Sequence, residues 1–375
     1  MSAKKRTRSQ LPKSNPAAVT PIPQQEPLES AAAYQEPVQA PISSEALALI
    51  QRLEELRDSR VITFFANPDV IVRGDVPLQV YEQLRRIGKV PRLDLFVHGT
   101  GGQTEVPWRL ITLIRDFCQH FGVLIPYMAY SAATHLAMGA DEIVMGPMSE
   151  LSPVDQARSH PLLPKEQEDA PPLTISVQDL RHCIEFLKRE GGEYTPESLA
   201  SIYVALFDKI HPLALGAIEQ SYALGRLISE KALSTHMNPE TEKDQIERIV
   251  NAFSEKFFSH HYRIGWKEAK ETGLKVTYVD DELWETMWKL YGHYDAYREI
   301  ARPIGEQPST VAKPIVWIDS TVQRRILEET YVITEEKERP GVQRLQTMGA
   351  RWLAMDWQSG LEEQKTPVTS IATGE

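Results

Sequence analysis

A group of glycines and a serine follow two neighbouring apolar segments of the chain, and residues of these kinds can carry acyl-transfer chemistry. The first segment, LFVHGTGGQ, ends in Gly99, Gly101 and Gly102, and the second, VLIPYMAYSAATHLAMGA, places Ser131 before Ala132. A hydroxyl at the start of a helix lies where developing negative charge is stabilised. The N–H groups of a glycine turn can bind an oxyanion. Taken singly, each feature also fits a plain turn or a helix N-cap.

The segments around these residues alternate between strand and helix patterns. The runs VITFFA, RLDLFVHG, VLIPYMA and EIVMGP are typical of buried strands, and PLQVYEQLRRIG, TEVPWRLITLIRDFCQHFG and SAATHLAMGA have the apolar spacing of helices. Such alternation predicts an α/β layer with mostly parallel strands, whose chemistry lies at the carboxyl ends of the strands. The glycine turn and Ser131 are therefore expected at the same edge of one sheet.

Composition divides the chain into three parts. Residues 1–44 are rich in Pro, Gln, Ser and Ala, which predicts a disordered N-terminal tail. Residues 45–300 begin with the helix pattern SSEALALIQRLEELRDSR and form the main α/β domain, extended by helical patterns such as YTPESLASIYVALFDKIHPLALGAIEQSYALGRLISEKAL. Residues 301–375 contain strand-like runs (PIVWID, TYVITE) and end in a polar stretch, and the sequence assigns them no role.

Composition also excludes several classes of protein. The formal net charge of −11 argues against non-specific binding to nucleic acid, and two cysteines are too few for a disulfide framework. No window holds the ~18 consecutive apolar residues of a membrane span, so a cytoplasmic protein is expected. No His-x-x-x-His, Cys-x-x-Cys or Walker-type glycine loop is present, so neither a metal nor a nucleotide cofactor is expected.

Two stretches together resemble a known family. LDLFVHGTGGQ, followed by VLIPYMAYSAATHLAMGADEIVMGPMSELSPVDQ, is similar to the serine dehydrogenase proteinase group of Clp-protease-like enzymes, relatives of bacterial signal peptide peptidase. The resemblance covers roughly residues 60–280. It implies the Clp-protease/crotonase-like α/β fold, a spiral of β-β-α units, here with an added helical region. It also implies a homo-oligomer that acts on a peptide or protein substrate.

Carried over motif by motif, the resemblance implies a serine nucleophile and an oxyanion hole. Ser131 would be the nucleophile, and the N–H groups of Gly101 or Gly102 and of Ala132 would bind the oxyanion.

Three departures from the family pattern lie close to these residues. Thr100 stands where the family usually has proline, Ala133 replaces the usual glycine after the nucleophile, and SPVDQA lacks the proline of Asp-Pro-Gln. None of these changes removes a reactive group. Asp155, in the last of these segments, is a possible supporting residue that would hold the nucleophile loop or line a subunit interface.

A serine hydroxyl is a poor nucleophile until a base takes its proton. The Clp-protease histidine has no counterpart here, because the expected region reads LSPVDQARSH and His135 points along the helix of Ser131. The signal-peptide-peptidase relatives use a lysine, whose pKa falls when it is buried. Lys188 lies at a comparable distance along the sequence, and Lys209 lies in a more apolar segment and is preferred.

Three functions follow from these residues. The leading hypothesis is a serine peptidase of the Ser-Lys type that works through an acyl-enzyme. The alternative is a catalytically inactive oligomeric scaffold or binding module of the same fold. A crotonase-type acyl-CoA enzyme ranks below both, because such enzymes do not need Ser131 and no adenine- or phosphate-binding signature is visible.

Overall fold

The computed structural model describes residues 44–357 and 360–362, except for residues 69, 155–156, 169, 192–194, 258, 260–261, 299, 305–308 and 336–342. The predicted disordered tail over residues 1–44 therefore lies outside the described residues apart from Ser44. The polar end of the chain after residue 362 lies outside them as well.

The helices begin with the segment predicted to start the ordered chain. They are α1 (Ser44–Arg57), α2 (Val76–Ile87), α3 (Val106–Arg115), α4 (Ala132–Met138), α5 (Val177–Gly191), α6 (Pro196–Lys209), α7 (Pro212–Leu233), α8 (Lys243–Asn251), α9 (Trp266–Thr272) and α10 (Glu282–Tyr297), with a π-helical turn at Ala252–Lys256 after α8.

The strands are mostly short in the first part of the chain and long near its end. They are β1 (Arg60–Ala66), β2 (Val90–His98), β3 (Cys118–Ile125), β4 (Met128–Ala129), β5 (Glu142–Met145), β6 (Glu150–Leu151), β7 (Ala157–Ser159), β8 (Thr174–Ser176), β9 (Ile264–Gly265), β10 (Val276–Tyr278), β11 (Arg302–Pro303), β12 (Thr310–Asp319), β13 (Arg324–Glu335), β14 (Gln343–Asp356) and β15 (Gly360–Glu362).

One large sheet organises the chain, with the strand order β10-β5-β3-β2-β1-β12-β13-β14-β15 and β11 beside β12. The five strands from β10 to β1 pair in parallel, and the strands from β12 onward pair antiparallel. A smaller sheet has the order β4-β6-β9, and β7 pairs with β8. The prediction of a mixed α/β fold with a mostly parallel layer is confirmed for this part of the chain.

The central strands are buried on both faces, which explains their continuous apolar sequences. Along β1, Ile62 and Phe64 pack with α2 and α3, whereas Val61 and Phe65 pack with α1 and α10. The apolar face of each helix supplies the cover, through buried residues that include Val80, Leu84, Leu110, Ile114, Ile50, Leu53, Met287 and Leu290. The sheet therefore holds the carboxyl ends of β1, β2 and β3 side by side.

One helix predicted from the sequence is too long, and one helical stretch is divided. The helix predicted over TEVPWRLITLIRDFCQHFG ends at Arg115, because Cys118 already pairs with Val90 of β2. The stretch with a helical pattern over residues 194–233 contains two helices, α6 and α7, because Pro212 cannot continue a helix and instead occupies the first turn of α7.

Among the described helices, no single one is long and apolar enough to cross a bilayer. Joined together, α6 and α7 meet the requirement by length and composition, but a bend of 97° separates them.

The C-terminal strands extend the main sheet, a role that the sequence did not assign to them. Phe65 of β1 pairs with Trp317 of β12, and β13 to β15 continue the sheet outward. Trp352 of β14 packs in the core beneath α2 and donates a hydrogen bond to Asp75 at 3.0 Å. The strands β12 and β14 therefore pack directly on the α/β layer that carries the candidate site.

Candidate functional site

The glycine turn and Ser131 lie together where β2 and β4 end. Gly99 forms a parallel bridge with Ala129. Its N–H donates to the Met128 carbonyl at 2.9 Å, and its own carbonyl accepts from the N–H of Tyr130 at 3.0 Å. The two junctions do lie together, but Ser131 follows β4 of the smaller sheet and not a neighbouring strand of the main sheet, and the bridge between Gly99 and Ala129 joins the two.

Ser131 has a strained backbone at the start of α4. Its φ of 52° and ψ of −110° are rare for a residue with a side chain, and Asp58 is the only other non-glycine residue with positive φ in the described part of the chain. Ser131 occupies the N-cap position, but its side chain makes no capping hydrogen bond. It is 7% exposed. Ser131 is therefore an N-cap residue by position only, and its hydroxyl is not used to cap the helix.

Gly101 lies against the side chain of Ser131. A Cβ placed on Gly101 would be 2.7 Å from the Ser131 Cβ and 3.1 Å from its Oγ, so only glycine fits without displacing the serine. The Gly101 carbonyl accepts a hydrogen bond from the N–H of Val72 at 2.7 Å, and Gly102 forms a parallel bridge with Val72. The segment that follows β1 thus supports the glycine turn through backbone hydrogen bonds.

Backbone N–H groups are available beside the Ser131 hydroxyl. Within the described residues, the N–H groups of Gly101, Gly102 and Ala132 donate no hydrogen bond. The N–H of Ser131 itself is occupied, because it donates to Ser152 Oγ at 2.8 Å. The N–H groups that the sequence predicts for an oxyanion hole are therefore not used by the fold within the described residues, and their role stays a prediction.

The two candidate lysines lie on helix surfaces and are not buried in this chain. The side chain of Lys188 is 52% exposed and lies 2.8 Å from Glu185, whose hydrogen bond raises the lysine pKa. The side chain of Lys209 is 79% exposed and lies 3.5 Å from Asp208. The sequence-based expectation of a desolvated lysine is therefore not met within a single chain, because both helices present these side chains to solvent.

His135 lies on the same helix as Ser131 but is bonded elsewhere. Its Nε2 lies 3.1 Å from the Gly225 carbonyl of α7, and the ring is fully buried. Burial lowers the pKa of His135 to about 4, so the ring is neutral at pH 7. His98, at the end of β2, is also buried and has its pKa lowered to about 4, with Nδ1 3.1 Å from the Ala66 carbonyl. Neither ring pairs with Ser131.

The buried histidines predict a loss of stability in acid. A histidine whose pKa is lowered by folding binds its proton in the unfolded chain first, so stability is present above the unfolded pKa near 6.5 and falls as the pH drops toward 4. For His135 the decrease is about 1.4 kcal/mol per pH unit over that interval. Urea unfolding at several pH values should show a shallower pH dependence for His135→Gln than for the wild type, and equal slopes would contradict the assignment.

A charged cluster that the sequence did not reveal lies next to the serine. Tyr130 donates a hydrogen bond to Glu150, and the guanidinium of Arg263 lies 4.0 Å from the centre of the Tyr130 ring. Burial, with the neighbouring Glu150 carboxylate, raises the pKa of Tyr130, so its hydroxyl stays protonated. The cluster is assembled by the small sheet, in which β6 pairs with β4 and β9, and no short sequence motif links these residues.

Two further features concern the predicted site, the supporting residue Asp155 and metal binding. Asp155 lies outside the described residues, so its supporting role stays a prediction. Among the residues that the structure describes, no group of three or more His, Cys, Asp or Glu side chains could hold a metal ion.

Comparison with known proteins gives distant relatives. No family model matches the chain. The chain is 24% identical over 259 residues to the uncharacterized protein MJ0137 of Methanocaldococcus jannaschii, covering 65% of this chain and 78% of that protein. It is 22% identical over 280 residues to the uncharacterized protein MJ1495 of the same organism, covering 72% of this chain and 81% of that protein.

Solved structures with some likeness include two Clp proteases. The ClpP protease catalytic domain from Plasmodium falciparum gives a TM-score of 0.33 at 8% identity, covering 63% of this chain and 90% of that chain. A mutant of ClpP1 from Listeria monocytogenes gives a TM-score of 0.31 at 14% identity, covering 63% and 99%. Because both TM-scores are low, the proposals below depend on the geometry of this chain.

Proposed function

We propose that this protein is a serine hydrolase that cleaves peptide bonds, with Ser131 as its nucleophile. The observation that carries the proposal is the conformation of Ser131, whose strained backbone places an uncapped hydroxyl against Gly101. Strain of this kind persists only where the surrounding structure enforces it, and it is concentrated at functional sites.

In the proposed reaction, a base removes the hydroxyl proton of Ser131 as its Oγ bonds to the substrate carbonyl carbon. The resulting oxyanion would accept hydrogen bonds from the N–H groups of Ala132 and of Gly101 or Gly102. Collapse breaks the C–N bond, and the base returns its proton to the leaving amine. Water, deprotonated by the same base, then releases the acyl group and restores the serine.

The base is proposed to be Lys209, with Lys188 as the second candidate. Formation of a homo-oligomer would bury the lysine and so lower its pKa. Among the described side chains of α6 none is buried, although the helix carries Tyr203, Val204 and Phe207, and Val204 is 70% exposed. An apolar surface of this kind on a helix marks an interaction site. A homo-oligomer that covers α6 would also desolvate Lys209 at its end.

The same proposal includes the fold and the mode of substrate binding. The support for a Clp-protease/crotonase-like spiral is the second, smaller sheet, β4-β6-β9, which lies at the carboxyl ends of the parallel strands. Extended peptide would bind near the glycine turn through backbone hydrogen bonds.

The alternative function, an inactive oligomeric scaffold, is favoured by the exposure of both lysines and by the apolar surface of α6. It predicts assembly without an activated serine. The peptidase and the scaffold therefore predict different reactivities of Ser131. Both predict a homo-oligomer.

The experiment that separates them is labelling with a fluorophosphonate probe, in which the Ser131 Oγ–P bond forms as fluoride leaves. We expect an adduct on Ser131, located by mass spectrometry, and no adduct in Ser131→Ala. Lys209→Ala is expected to slow labelling about 100-fold or more and Lys188→Ala to leave it unchanged, because removal of a general base costs a factor of this size.

Two results would contradict the peptidase. A folded wild-type oligomer that gains no adduct, while Ser131→Ala assembles normally, would favour the scaffold. Coenzyme A binding that survives Ser131→Ala would favour the acyl-CoA enzyme.

A further inference from the structure

Ser152 contacts the strained serine from the next strand. It follows β6 and is fully buried, and its Oγ accepts the hydrogen bond of the Ser131 N–H at 2.8 Å. The Ser152 hydroxyl in turn donates to the Pro153 carbonyl at 3.0 Å. Its proton is thereby directed away from Ser131, and a lone pair of the oxygen faces the Ser131 N–H.

Thr134 holds Ser152 in place from the first turn of α4. The N–H of Ser152 donates to Thr134 Oγ1 at 3.2 Å. Thr134 Oγ1 lies 2.7 Å from the Ala129 carbonyl and 3.0 Å from the Ser152 carbonyl, and its single hydrogen can bond one of them at a time. Both hydroxyls are completely buried, so water does not replace any of these bonds.

We infer that Ser152 is a positioning residue, which with Thr134 holds the backbone of Ser131 in its strained conformation; this rests on the proposed role of Ser131 as nucleophile. Without the Ser152 hydroxyl, the Ser131 N–H would be buried without an acceptor, which is costly in the strained conformation. The backbone would then rotate toward a relaxed conformation and carry the hydroxyl away from Gly101. The same bond also keeps the Ser131 N–H out of the oxyanion site, so that Ala132 supplies the donor from this junction.

A matched control lies three residues before Ser152. Ser149 is also a buried serine whose Oγ accepts from a backbone N–H, that of Gly146 at 2.7 Å, and donates to the Ile125 carbonyl. Ser149→Ala removes the same kind of bond from the same part of the structure without touching Ser131. A general loss of stability would affect both variants, whereas loss of positioning would affect Ser152→Ala alone.

The test measures fluorophosphonate labelling of the full chain as a function of probe concentration. Ser152→Ala is expected to lower the maximal rate about tenfold to hundredfold, the effect of one buried hydrogen bond, with little change in the concentration for half-maximal rate. Ser149→Ala should label like the wild type. Thr134→Val should slow labelling in the same way, and Thr134→Ser, which restores the hydroxyl, should recover most of the rate.

A second measurement decides the inference even if the wild type does not label, an outcome that would remove the proposed function alone. Hydrogen exchange of the Ser131 N–H should be at least tenfold faster in Ser152→Ala than in the wild type and unchanged in Ser149→Ala. Equal exchange in wild type and Ser152→Ala, or labelling of Ser152→Ala at the wild-type maximal rate, would overturn the positioning role.

Discussion

We expect Gly102→Ala to abolish labelling of Ser131 and to destabilise the chain by about 3 kcal/mol or more. A Cβ on Gly102 would lie 2.2 Å from the backbone nitrogen of Val72 and 2.4 Å from its carbonyl oxygen. Those atoms belong to main chain and cannot rotate away as a side chain would. The φ of 154° adds strain for any residue with a side chain. The whole segment after β1 would have to separate from the glycine turn.

The measurement combines urea unfolding with fluorophosphonate labelling, and two other glycines serve for comparison. Gly88 also has a positive φ, 79°, but a Cβ there would meet nothing within 4 Å, so Gly88→Ala should keep full labelling. Gly101→Ala should lose labelling with a smaller loss of stability, because its Cβ would press on Ser131 itself. If Gly102→Ala kept both stability and labelling, the Val72 contact would not be needed to hold the turn.

The sequence predicted the part of the fold whose signals are local. Parallel strands buried on both faces have continuous apolar sequences, and the helices between them have apolar residues at helical spacing. Both kinds of element could therefore be recognised, together with their order along the chain. The sequence also predicted that the glycine turn and Ser131 meet, but it expected two strands of one sheet, whereas Ser131 follows β4 of the smaller sheet and is brought to Gly101 by the Gly99–Ala129 bridge. The break before α7 also had a visible signal in Pro212, which the helical pattern on either side obscured.

The remaining features depend on contacts between distant segments. The placement of β12 beside β1 rests on pairs such as Phe65 with Trp317, separated by most of the chain, and no local pattern specifies such a partner. Ser152 is one serine among many, and its relation to Ser131 arises only when β6 pairs with β4. The burial of a lysine is likewise a property of packing, which the apolar residues around Lys209 suggested but could not determine.

We expect Arg324→Met to destabilise the chain by about 3 to 5 kcal/mol, because it leaves the Asp319 carboxylate buried without its cation. Asp319 is fully buried at the end of β12, and its Oδ2 accepts hydrogen bonds from Arg324 Nε and from the Tyr294 hydroxyl, both at 2.9 Å. The backbone N–H of Asp319 also lies 3.0 Å from Thr63 Oγ1 of β1. The cluster therefore joins the C-terminal strands to β1 and α10.

The double variant Asp319→Leu with Arg324→Met tests the physical cause. Removing both charges also removes the cost of burying them, so the double variant should be more stable than Arg324→Met alone. The exposed pair of Arg52 and Glu282, 2.7 Å apart, provides a comparison, and Arg52→Met should destabilise the chain much less than Arg324→Met because water already surrounds both groups. Urea unfolding of the three variants and the wild type decides the matter. A double variant less stable than Arg324→Met would mean that the pair stabilises the junction by its attraction, and that desolvation is the smaller of the two effects.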